Sequence, residues 1–376
     1  MTDAPRDRTG CGSSAIDSQD SLKARGRSRR RFLALLAGGV AAAATGGWLG
    51  SRMMGGADGP AARVVSPGAP GGDATSPGAV VKVTHPGVVD GAGRVDADAA
   101  RAMVDAAMSR LTGNTERAEA WGSLFSPDDV VAIKVNCLAA PRLATHPQVV
   151  DALIAGLRAA GVRDENIIIY DRLGRELERG GFAVNTGRGV RCFGSDAVGY
   201  DPQPTEAGSV GSCLSRIVSE FCTAIINVPL VKDHDLAGVS IALKNHFGSI
   251  NNPNKQHDNG CCPQAADVNL FHAIRAKQRL VIADALTITY DGGPAYKPKT
   301  SSHYRSILAS TDPVAVDAVG LDIIEGLRRH AALPSLAEEG RAPKYIAVAA
   351  DAHHRLGVAD LSRIRRVDVE MGGEAA

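Results

Sequence analysis

The densest run of chemistry-bearing side chains in the 376-residue chain is Lys244-Asn245-His246-Phe247-Gly248-Ser249-Ile250, continued by His257-Asp258-Asn259-Gly260-Cys261-Cys262-Pro263. Imidazole and thiolate are ligands for zinc, iron and copper. His257, Cys261 and Cys262 are therefore candidate metal ligands, with His234 upstream. The spacing matches no standard metal motif, and the side chains of adjacent cysteines diverge. The competing reading is a polar, glycine-rich loop that closes over a pocket. Thiolate chemistry at Cys261 or Cys262 would need a lowered pKa.

Other polar residues come after apolar runs at regular intervals. Lys134 and Asn136 end one run and Asp171 another. Asn227, Lys232, Asp233, His234 and Asp235 come after a third, Asp284 after a fourth, and Thr311 with Asp312 after a fifth. Lysines here would hold phosphate or carboxylate as point charges. Asp284 and Asp312 would serve as general bases or metal ligands, and His257 as ligand or acid/base. His146 either belongs to a helix start or aims its imidazole at a site, because helix N-termini attract anions. His353 and His354 read as solvent-facing. His303 lies just past a loop from Asp291 to Ser302 that is a lid or a long connector.

The elements that must position these groups are legible from periodicity. Val80–Thr84, Val130–Val135, Asn166–Tyr170, Ala224–Val228, Leu280–Ala283, Ser306–Ala309 and Val367–Val369 read as strands. Helices are expected over Asp96–Leu111, after Thr145 as cap with Pro147 in the first turn, over Asp267–Lys277 and over Pro313–Arg329. The apolar positions of the last, Val316, Val319, Ile323, Ile324 and Leu327, keep a 3.6-residue period. Strand–helix–strand order predicts an α/β fold: a mainly parallel sheet with helices on both faces, in one body or two lobes. Ligands of such sheets bind beyond the carboxyl ends of the strands. All five polar groups would then meet at one edge; the alternative is that loops are simply polar.

The N-terminal segment carries a different signal. Ser28-Arg29-Arg30-Arg31-Phe32-Leu33 precedes a weakly apolar Ala/Gly/Leu run ending at Leu49. Paired arginines before such a run are the pattern of a twin-arginine export signal, with an uncleaved membrane helix as the alternative. Its partner would be the twin-arginine translocation machinery, its destination the periplasm or another extracytoplasmic space. Membrane contact would be confined to this segment, if uncleaved. Export of a folded chain lets a cofactor inserted in the cytoplasm travel with it. Residues 1–52 hold nine Lys/Arg against four Asp/Glu, which leaves the rest at −4 in a chain of net +1. That charge argues against a nucleic-acid groove. Residues 53–79, rich in Gly, Pro, Ala and Ser, read as a flexible linker, and 80–373 as the folded domain. Cys137, Cys192, Cys213, Cys222, Cys261 and Cys262 lack the spacing of a ferredoxin cluster or zinc ribbon. No nucleophile elbow or Walker loop is present.

Several of these pieces together resemble the uncharacterised family called domain of unknown function 362. They are Val131-Ala132-Ile133-Lys134-Val135-Asn136, Thr145-His146-Pro147, Ile226-Asn227-Val228-Pro229 with Lys232 and His234, and Leu243-Lys244-Asn245 with Gly248. His257, Asp284-Ala285, Gly292-Gly293-Pro294 and Ser310-Thr311-Asp312-Pro313-Val314-Ala315-Val316-Asp317 complete the set. Some members carry an attached ferredoxin-type module, which this sequence lacks. With the resemblance, Lys134, Lys244, Asp284 and Asp312 are the catalytic candidates. Asn136, His146, Lys232, Asn245, Gly248 and Asp317 are candidate cofactor contacts, and His234, His257, Cys261 and Cys262 candidate metal ligands. The expectation is an exported enzyme, metal- or cofactor-dependent and of a redox type, with a pocket for a small anion. The alternatives are a non-catalytic periplasmic anion-binding protein and an accessory factor for a redox partner.

Overall fold

The computed structural model describes residues 78–372. The export-signal reading and nearly all of the linker lie outside these residues. Ala79, assigned to the linker, already belongs to the first strand.

Among the strands, the central short apolar runs rich in Val and Ile are buried on both faces, as parallel strands in α/β folds are, whereas the edge strand Arg365–Glu370 is mostly exposed. In chain order the strands are β1 (Ala79–Thr84), β2 (Val131–Lys134), β3 (Ile167–Tyr170), β4 (Arg191–Cys192) and β5 (Ala224–Asn227). Next come a hairpin of β6 (Lys232–His234) and β7 (Gly238–Ser240), then β8 (Gln278–Ala285), β9 (Ser306–Ser310) and β10 (Arg365–Glu370). Eight of them make one sheet in the order β10-β1-β9-β8-β5-β2-β3-β4. Within it β9 runs antiparallel to both of its neighbours, and the other pairings are parallel. The described residues fall in one compact unit, with no second lobe among them.

The two-residue alternation of the strands divides the core. Val131, Ile133, Ile167, Ile169, Ala224, Ile226, Leu280 and Ile282 face one side. There they meet α1 (Ala97–Thr112) through Met103, Val104, Ala107 and Met108, and α2 (Pro147–Ala159) through Val149, Val150, Leu153 and Leu157. Ala132, Ile168, Tyr170, Ile225, Val281 and Ala283 face the other side. That side is covered by α3 (Ala242–Asn245) and α4 (Pro313–His330), which contribute Leu243, Val314, Val316 and Val319.

Two local expectations are corrected. Thr145 does not cap α2; His146 occupies the cap position without a side-chain cap bond. The Thr145 hydroxyl instead accepts from Asn136 N and donates to Val228 O, tying two strand ends together. The helix expected over Asp267–Lys277 is two short helices, Gln264–Val268 and His272–Lys277. Between them the Asn269 amide donates to Ala265 O and Leu243 O, a side-chain alternative to continued backbone pairing. Among the described residues no helix is long and apolar enough to cross a membrane.

The packing of α2 can be tested at one residue. A Cβ at Gly156 would lie 2.0 Å from the buried indole of Trp121. Gly→Ala within a helix ordinarily stabilises by up to about 1 kcal/mol. Here overpacking reverses the sign: Gly156→Ala should lower stability by about 1–3 kcal/mol in urea denaturation.

Candidate functional site

Three residues end adjacent strands in register: Tyr170 on β3, Lys134 on β2 and Asn227 on β5. Alternation puts Lys134 on the same face as Ala132, beneath α3. The Lys134 ammonium is buried and held by the Asp171 carboxylate (2.7 Å) and the Val135 carbonyl (2.6 Å). A Cβ at Gly248 would come within 2.7 Å of the Lys134 Nζ, so glycine lets that backbone close over the pair.

Above this floor opens a cavity of about 460 Å³. It is lined by Lys134, Lys232 and Lys244, by Asn136 and Asn245, and by His234 and His257. Phe247 and Gly248 contribute to its wall. Leu138 and Leu236, 52% and 54% exposed, are also part of the lining. The sheet edge thus brings together eight of the fourteen residues singled out in the sequence.

The other two lysines differ from Lys134. Lys232 and Lys244 are only 1% and 6% exposed, yet neither forms an ion pair among the described residues. Lys232 Nζ donates to Asn136 Oδ1 (3.1 Å). Lys244 Nζ lies 3.0 Å from His257 Nε2 and 4.6 Å from the centre of the Phe247 ring. Burial, reinforced at Lys232 by the charge of Lys244, lowers both amines to about 8. Among the described residues no carboxylate lies within ion-pair distance of either amine: in the lining, Asp171 holds Lys134 and Glu176 lies 3.7 Å from Arg172. Alternation in β6 turns Lys232 and His234 one way and Asp233 the other, where it meets Arg341 (2.8 Å) and Gly293 N. The Asp235 side chain is 62% exposed and pairs with neither lysine.

The histidines are electrically quiet. His257 Nδ1 is 3.0 Å from Pro253 O; a carbonyl only accepts, so Nδ1 carries the proton and the Nε2 lone pair faces Lys244. Burial and the charge of Lys244 hold His257 below its ordinary pKa, and burial holds His234 far below it. The two rings stack with centroids 5.5 Å apart.

Six predicted site residues lie off the cavity lining. Asp312 sits at the opposite edge of the sheet, because β9 is antiparallel and its carboxyl end points the other way. It caps α4, accepting from Val314 N, Ala315 N and Val358 N. Asp284 is buried beside the start of α2, where Oδ2 accepts His146 N (2.8 Å) and meets His146 Nδ1 (2.8 Å). Burial opposes protonation of that imidazole, but the charge of Asp284 and its hydrogen bond together outweigh it and raise the His146 pKa. Asp317 lies beneath α3, its Oδ1 accepting Ala242 N (2.6 Å) at the turn that presents Lys244. Burial raises the Asp317 carboxyl well above the ordinary range. Cys261 and Cys262 are buried free thiols pushed upward by desolvation. Among the described residues no three His, Cys, Asp or Glu side chains converge as a metal set. His354, expected in solvent, is buried between Asp267 (2.8 Å) and Asp351 (2.9 Å). Arg172, Glu176 and Leu236 were missed; Arg172 and Glu176 lie just past a strand end already marked by Asp171.

The family model described as "Domain of unknown function (DUF362)" matches residues 131–322. The chain belongs to this family. The matched stretch runs from β2 into α4 and contains every residue named in the cavity lining, whereas β1, α1 and β10 fall outside it. None of the curated proteins matches the chain.

Stability should separate the paired lysine from the unpaired ones. Lys134→Met leaves the buried Asp171 carboxylate with no countercharge, only the N–H groups of Cys137 and Arg172, and should cost about 3 kcal/mol. Lys244→Met removes an uncompensated buried cation and should leave the ligand-free protein as stable or more so. The unfolded lysines titrate near the ordinary value of 10.5, the folded ones near 8. Between these values the unfolded chain binds more protons, so wild-type stability should rise with pH in that window. Lys244→Met should flatten the rise, as read from urea midpoints.

Proposed function

We propose that this chain is an exported enzyme that binds a small anionic molecule in the cavity beyond β2, β3 and β5. The observation that carries this reading is the burial of Lys232 and Lys244 together, with Asp233, Asp284 and Asp312 each engaged elsewhere. An uncompensated buried charge is costly, and a bound phosphate or carboxylate would relieve it with charge-assisted hydrogen bonds. A volume of about 460 Å³ suits a small ligand. The amides of Asn136 and Asn245 add neutral hydrogen-bonding groups. Turnover, rather than capture alone, is favoured by the neutral imidazole of His257 against Lys244, since binding an anion needs no base there. Export is supported by Arg29-Arg30 ahead of the apolar run.

Two measurements test these readings. A thermal-shift screen of phosphates, dicarboxylates and nucleotides should find an anion that raises the Tm. Lys244→Ala should weaken that ligand by about tenfold or more, given about 1.5–3 kcal/mol for a charge-assisted contact. No stabilising anion, or an undiminished response in the variant, would remove the anion site. Separately, replacing Arg29 and Arg30 together by Lys should hold the protein in the cytoplasm, because the receptor reads paired guanidinium groups rather than charge. Undiminished recovery outside the cytoplasm would refute the export route.

A further inference from the structure

Lys232 and Lys244 share one cavity but not one environment. The Lys232 amine meets the carbonyl oxygen of Asn136 (3.1 Å), an acceptor too weak to take its proton. The Asn136 amide is anchored in turn on Asn245 (3.0 Å), so this corner holds a cation in place. Lys244 faces a base instead. The Pro253 carbonyl fixes the tautomer of His257, and the free Nε2 lone pair lies 3.0 Å from Lys244 Nζ. Phe247 contacts both, with its ring centre 4.6 Å from the amine and edge-on to the imidazole at 5.4 Å. A desolvated amine, near a second cation and within reach of a neutral imidazole, is the arrangement of an activated lysine nucleophile.

We propose that Lys244 forms a Schiff base with a small carboxylate that carries an adjacent aldehyde or ketone, with Lys232 holding the carboxylate and His257 carrying protons. This rests on the anion-binding reading of the same cavity. The Nζ lone pair attacks the carbonyl carbon while the C=O π pair moves onto oxygen. One Nζ proton passes to His257 Nε2 and on to that oxygen, giving a carbinolamine. The nitrogen lone pair then forms C=N as the hydroxyl departs, and the second Nζ proton takes the same route to complete a water molecule. One C=O is exchanged for one C=N with loss of one water, both of whose protons come from the amine. No oxidant or reductant is consumed. The depressed pKa of Lys244, near 8, keeps a usable fraction of the free amine at neutral pH.

The test uses the whole chain with glyoxylate and cyanoborohydride, which reduces the C=N bond and leaves a carboxymethyl group on the reacting nitrogen. Peptide mass mapping locates it. Oxalate, an anion of similar shape without an electrophilic carbonyl, serves as competitor, and its thermal shift reports anion binding on its own. The expected result is an adduct on Lys244 that oxalate suppresses and that Lys244→Arg lacks. His257→Gln, which keeps the amine but not the base, should slow trapping by about 100-fold and change its pH profile. Adducts confined to other lysines, or an adduct on Lys244 indifferent to oxalate, overturn the proposal. If oxalate raises the Tm but Lys244 is never labelled, the Schiff base falls and the anion site stands. If oxalate has no effect and no adduct forms on Lys244, the Schiff base falls, and the anion site falls with it when no other anion of the thermal-shift screen stabilises the protein. The wild-type map does not depend on either variant folding.

Discussion

One amide side chain, that of Asn245, ties the sheet to everything built above it. Its nitrogen donates to the Lys134 carbonyl (3.3 Å) and to Asn227 Oδ1 (2.8 Å). Its oxygen accepts from Asn136 (3.0 Å) and from the Lys134 ammonium (3.4 Å). Every donor and acceptor of the amide is used. The ends of β2 and β5 are thereby locked to α3, and α3 presents Lys244 one residue earlier. Asn227 extends the lock to the Ala242 carbonyl and Gln278 at the start of β8, and Asp317 holds the first turn of α3 from α4. A buried polar network of this kind specifies one arrangement because any slip leaves desolvated groups unpaired.

The same chain handles buried cations in two opposite ways. Arg328 is fully buried in α4, yet its guanidinium meets Asp291 at 2.8 Å, and Arg341 meets Asp233 and Glu339 nearby. Lys134 likewise has Asp171. Carboxylates are therefore supplied to the buried cations Lys134 and Arg328. Lys232 and Lys244 stand out against that pattern, with an amide and an imidazole where carboxylates would stabilise more. Retaining them costs stability, and the cost is concentrated at the one cavity where the strand ends converge.

Much of this was legible in the sequence because it depends on alternation and on strand ends. Lys134, Lys232, Lys244 and their neighbours come after apolar runs, and parallel strands deliver the residues just past their carboxyl ends to one edge. Strand direction was not legible, since an apolar run reads alike either way; hence Asp312 was placed at the wrong edge. Asp284 and Asp317 lie close to the right place but serve the backbone, a distinction that rests on which N–H groups they meet. His354 and the break at Asn269 depend on partners about 87 and 26 residues away, beyond the reach of local periodicity. The lysine–imidazole contact was also invisible, because His257 lies within a nine-residue stretch with irregular backbone, Pro253–Cys261.

The sheet order also bears on the timing of biosynthesis. The first described strand, β1, is flanked by β9 and β10, with Ala79 opposite Arg365 and Val81 opposite Ala309. Neither neighbour exists until more than 220 further residues have been made, since β9 begins at Ser306 and β10 at Arg365. During translation β1 therefore waits, and the sheet closes only once the ribosome has delivered its last strand. Whatever precedes β1 remains joined to an unfinished sheet until β10 has been made. Any sorting step that requires the closed sheet must wait for β10 by topology alone.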